Sequence, residues 1–128
     1  MSKQVVRTEK APAPFQGAPY NQAIVATGLV FVAGQLGLEP GAAEVVAGGI
    51  GPQTEQAFAN LGAILEAAGS SLDAVVKTTV FLRDLDDFAG MNEVYARHVG
   101  ATPPARSTVE VGRLPAGALV EIEAVALA

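Results

Sequence analysis

From Leu119 to Ala126 the side chains alternate in character: Val120, Ile122, Ala124 and Ala126 fall on one side of an extended chain, and Leu119, Glu121, Glu123 and Val125 on the other. A period of two predicts a strand with one face in a core and the other outside it. The run from Arg106 to Val111 repeats the pattern, with Ser107, Val109 and Val111 on one face and Arg106, Thr108 and Glu110 on the other. Strands of this kind need a sheet that is covered on one side.

The cover is also visible. From Pro52 to Ala68 the apolar residues Phe58, Leu61, Ile64, Leu65 and Ala68 recur at helical spacing, with Pro52 in the first turn and Gly69 at the stop. A second helix is predicted from a cap at Asp86 or Asp87 to Val99, with Phe88, Met91 and Tyr95 on one stripe and Gly100 after it. Further strands are predicted at Gln4 to Arg7, Ala23 to Ala26, Leu29 to Ala33 and Val75 to Leu82, the middle two joined by Thr27 and Gly28 as a tight hairpin. Leu36 to Ile50 reads as an irregular crossover. The chain order is therefore βββαβαββ, an α+β fold with a six-stranded, mainly antiparallel sheet, and residues 1–128 form one domain. Two helices cannot cover both faces of such a sheet, so the open face is expected to be covered by another copy of the chain.

Composition narrows the chemistry. Eight Lys and Arg against thirteen Asp and Glu give a net charge of -5, which argues against a nucleic-acid partner, because phosphate binding needs clustered cations. With no Cys and one His, thiolate catalysis, disulfides and a Cys- or His-rich metal site are excluded. No dinucleotide fingerprint or Walker loop supports a nucleotide cofactor. Met1 to Phe15 is charged and Pro-rich instead of signal-like, and no apolar run approaches the roughly 18 residues of a membrane span. A cytoplasmic protein with no membrane partner is expected.

If the apolar face meets the helices, Arg106, Thr108, Glu121 and Glu123 project together from the uncovered face. One reading is a solvated face with ion pairs worth about 0.2–1 kcal/mol each. The other is a cleft, in which Arg106, entering after Pro103 and Pro104, grips a carboxylate through its planar fork. Tyr20, in a loop after Pro19, suits packing or an aromatic lid. Asn92 suits a bond to a loop carbonyl, and His98 a place in the last helical turn near the dipole's negative end.

Ala18-Pro19-Tyr20-Asn21-Gln22-Ala23, Gly34-Gln35, Val76-Lys77-Thr78-Thr79-Val80-Phe81-Leu82, Asn92-Glu93-Val94-Tyr95, Pro104-Ala105-Arg106-Ser107 and Glu121-Ile122-Glu123-Ala124 together resemble the reactive intermediate deaminase family, the RidA or YjgF type, over almost the whole chain. The resemblance implies a chorismate-mutase-like homotrimer with sites between subunits. It implies cofactor-free hydrolysis of 2-imino acids, such as 2-iminopropanoate and 2-iminobutanoate, to 2-keto acids and ammonia. Arg106 would bind the carboxylate and Glu121 would handle the water. Tyr20, Gly34, Asn92 and Thr108 would complete the pocket. Ala33 stands where many members have Ser, and Thr108 where many have Cys. These departures keep open a related hydrolase or lyase acting on another small carboxylate, and a ligand-binding module without turnover. The ribonuclease activity ascribed to some members finds no support in the charge.

Overall fold

The computed structural model describes residues 2–128. Six strands, β1 (Gln4–Val6), β2 (Ala23–Ala26), β3 (Leu29–Leu36), β4 (Val75–Leu82), β5 (Ala105–Glu110) and β6 (Val120–Leu127), form one sheet in the order β1-β2-β3-β6-β4-β5. Four of its pairings are antiparallel, and β4 with β5 is parallel. Helices α1 (Ile50–Ala67) and α2 (Phe88–His98) interrupt the strands in the expected order.

Local chemistry sets these boundaries. Thr27 and Gly28 both take positive φ, 52° and 77°, the conformation that matches a two-residue hairpin turn to the twist of its strands. At the end of α1, Gly69 (φ 80°) lets its own N–H donate to the carbonyl of Glu66 and that of Ser70 to the carbonyl of Leu65, which satisfies the last open acceptors. The start of α2 differs from expectation. A short 3-10 turn, Leu85–Asp87, precedes it, and Asp84 is the residue whose side chain accepts a backbone N–H, that of Asp86, at 2.8 Å. Asp87 makes no capping bond.

Both helices pack on one face of the sheet. Phe58, Leu61, Ile64 and Leu65 of α1 and Met91 and Tyr95 of α2 close over Val30, Val32, Val80, Leu82, Val120, Ile122 and Ala126. At about 25 cal/mol per Å² of apolar surface removed from water, this cluster is the main source of stability. Buried amides hold the loops to it. Asn60 Nδ2 donates to the carbonyls of Leu36 and Leu38, Gln53 Oε1 accepts from the N–H of Leu119, and Gln22 Nε2 reaches the carbonyls of Thr8, Ala11 and Pro12. The opposite face carries Val5, Phe31 and Val109, which are 47, 43 and 41% exposed and lie uncovered among the described residues.

Candidate functional site

The six candidate residues divide into two groups on opposite faces of the sheet. Register decides this. Arg106 pairs with Thr78, which pairs in turn with Ala124, and Thr108 pairs with Val80, which pairs with Ile122. Residues in register share a face, so Arg106 and Thr108 lie on the helix side. Glu121 pairs with Phe81, which pairs with Val109, and Glu123 pairs with Thr79, so the two carboxylates lie on the open side. The expectation of one polar face bearing Arg106, Thr108, Glu121 and Glu123 is therefore corrected. β5 is the edge strand of the sheet, and on its helix-facing side Arg106 and Thr108 are only partly buried, so that side tolerates a guanidinium, while Val109 is left on the open side.

On the helix side, α2 presents Phe88, Asn92 and Tyr95 at positions i, i+4 and i+7. The Arg106 guanidinium carbon lies 4.6 Å from the centre of the Tyr95 ring and 5.5 Å from that of Phe88, within range for attraction to a ring face. Asn92 Oδ1 is buried and has no hydrogen-bond partner among the described residues, so the expected tie between its amide and the fold is incomplete. Phe88 and Tyr95 were not anticipated as neighbours of Arg106. Their spacing along the helical stripe with Asn92 was the available signal.

On the open side, Tyr20, Gly34 and Glu121 line one concavity of about 370 Å³ with Phe15, Ala18, Ala33, Leu36 and Pro115. A bulge in β3 between Val32 and Gln35 brings Gly34 against β6. A Cβ at Gly34 would collide with Glu121 Oε2, so glycine is required for the carboxylate to sit there. The Phe15 N–H donates to the Tyr20 hydroxyl, which holds the ring in place as a wall. Burial, and secondarily the neighbouring charge of Glu123, push the Glu121 pKa up from its ordinary 4.5. Such a group can take and return a proton closer to neutrality than an exposed Glu. Among the described residues, no three of His, Asp or Glu converge on a point where a metal ion would sit, and no helix is long and apolar enough to cross a membrane.

His98 falls in neither group. Its ring stacks on Phe58 (4.7 Å, 6°) and Nε2 lies 2.7 Å from Glu55 Oε1, an arrangement that ties α2 to α1.

A small α+β subunit thus carries a guanidinium seated on aromatic rings on one face of its sheet and a half-buried carboxyl on the other. Residues 8–128 match the family described as Endoribonuclease L-PSP, and the chain belongs to that family, which includes the RidA-type proteins. It is 52% identical over 126 residues to a RutC family protein of Pyrococcus abyssi, covering 98% of each chain. It is 41% identical to the human 2-iminobutanoate/2-iminopropanoate deaminase, covering 98% of this chain and 90% of the relative. The crystal structure of RidA from the Antarctic bacterium Psychrobacter sp. PAMC 21119 superposes with a TM-score of 0.91 at 44% identity, covering 98% of this chain and 99% of that one.

Proposed function

We propose that the protein hydrolyses 2-imino acids, with 2-iminopropanoate and 2-iminobutanoate as its reference substrates, to 2-keto acids and ammonia. The observation that carries this reading is the presence, in one short chain, of a guanidinium that rests over a Tyr ring with no ion pair among the described residues and a carboxyl whose pKa is raised by burial. The deaminase names of relatives such as the human protein support it. The net charge of -5 argues against RNA as the substrate.

Because the two groups stand on opposite sheet faces, the reading includes a homotrimer in which Arg106, Thr108 and Asn92 of one copy face Tyr20, Gly34 and Glu121 of the next. The uncovered face with Val5, Phe31 and Val109 supplies apolar surface for that contact. Arg106 takes the substrate carboxylate in a bidentate grip and so fixes the imine carbon. Glu121 accepts a proton from water as its oxygen bonds to that carbon, and passes that proton to the nitrogen, which has received the C=N electron pair, to give the carbinolamine. The same carboxylate then takes the carbinolamine hydroxyl proton and delivers it to the nitrogen, the C–N bond breaks, and ammonia leaves as the keto group forms. Every atom comes from substrate and water.

The test couples a threonine dehydratase, as an imine source, to the purified protein, with semicarbazide trapping unreacted imine. Faster keto-acid formation, abolished by Arg106→Ala in a protein that still assembles, is the expected result. A folded assembly that binds 2-oxobutanoate without accelerating hydrolysis overturns the enzymatic reading in favour of a binding module.

A further inference from the structure

We infer that Tyr95 is the positioning residue for Arg106, and that it works through its ring face, with Phe88 as a weaker second support. The inference rests on the reading of Arg106 as the carboxylate anchor.

An arginine that must grip a substrate carboxylate in two directions faces a conflict. A protein carboxylate would orient it well but would occupy the same fork of N–H donors. No acidic side chain lies within ion-pair distance of Arg106 among the described residues. The guanidinium instead rests over the Tyr95 ring at 4.6 Å and near the Phe88 ring at 5.5 Å. A ring face attracts the cation while leaving its in-plane donors free. The Tyr95 ring is itself held by two contacts and by burial. Its hydroxyl lies 2.6 Å from Thr78 Oγ1, on the residue of β4 that is in register with Arg106. Phe58 meets it edge-on at 5.3 Å and 79°, and the ring is only 6% exposed. The tyrosine thus spans from α2 to β4, with its hydroxyl tied beside the strand position that carries the arginine.

The test measures 2-oxobutanoate binding by calorimetry and steady-state hydrolysis of 2-iminobutanoate for Tyr95→Leu, Tyr95→Met, Tyr95→Phe, Phe88→Leu and Arg106→Ala, each checked for assembly. Tyr95→Leu is expected to raise both Kd and KM about tenfold with kcat changed less than threefold. Tyr95→Met, which fills the space without a ring, is expected to behave alike if the leucine variant fails to fold. Tyr95→Phe keeps the ring and is expected to recover binding to within about threefold of the parent, while Phe88→Leu weakens it about threefold. Unchanged binding in the folded leucine or methionine variant overturns the inference, as does a phenylalanine variant as weak as they are. If Arg106→Ala itself binds 2-oxobutanoate like the parent, the anchor reading fails. If Arg106→Ala loses binding and Tyr95→Leu keeps it, only the role of Tyr95 fails.

Discussion

Glu121 sits where ionisation is costly, because its surroundings are partly dry and Glu123 adds a like charge on the same sheet face. A base acts in its deprotonated form, so kcat/KM is expected to fall on the acid side with a midpoint above the ordinary 4.5. Glu123→Gln removes the like charge and is expected to lower that midpoint. A pH–rate profile that does not move would assign the acid limb to another group. The same raised pKa has a stability cost. The folded chain holds this proton more tightly than the unfolded one, so the contribution is present below the ordinary Glu range and lost as pH rises through the folded pKa. Glu121→Gln is therefore expected to raise Tm at about pH 7, with the gain fading as the pH drops toward about 4, while hydrolysis falls by about a hundredfold or more. A melting series across that range, paired with activity, checks both signs.

Gly34 owes its place to the β3 bulge, which brings its backbone up to the Glu121 carboxylate. Gly34→Ala is expected to leave the fold intact, displace the carboxylate, and lower kcat by about tenfold or more, read from circular dichroism beside kinetics. The pair of helices is tied at its outer edge by the stack of His98 on Phe58 and the bond to Glu55. His98→Ala is expected to cost about 1 kcal/mol in denaturant unfolding. Elements with a clear period were legible from their residues: β4 spans Val75–Leu82 as expected, and the apolar stripe of α1 is the one that is buried. The polarity of β5 was legible too, but its orientation was not. Alternation states that a strand has two faces, and says nothing of which one a helix covers at a sheet edge, so Arg106 was expected beside Glu121 and stands across the sheet from it. The clamps made by Gln22, Gln53 and Asn60 left no local signal either, because each amide binds backbone far along the chain. The residues around Glu121 were partly legible: Tyr20 stood out from its loop after Pro19 and Gly34 from the resemblance, while Phe15, Leu36 and Pro115 emerge only when loops distant in sequence meet.

At the scale of the molecule, one subunit carries Arg106 and Glu121 on opposite faces of its sheet, which on the proposed arrangement makes each one half of a site shared with another copy. Mixing makes this measurable. Arg106→Ala and Glu121→Gln subunits, each inactive alone, are expected to regain activity when unfolded and refolded together, with about a quarter of the sites in a random trimer combining an intact arginine from one copy and an intact glutamate from the next. No recovery in mixed assemblies, verified by size and mass, would place both groups of a working site in a single chain. The open sheet face, with Val5, Phe31 and Val109 unsheltered, also affects the protein before it ever meets substrate. On the proposed arrangement a newly made copy carries an adhesive surface until its siblings arrive, and it is inert over the same interval. Dilution would then silence the enzyme without unfolding it, so its output would depend on how many copies a cell keeps close together as well as on how fast each site turns over.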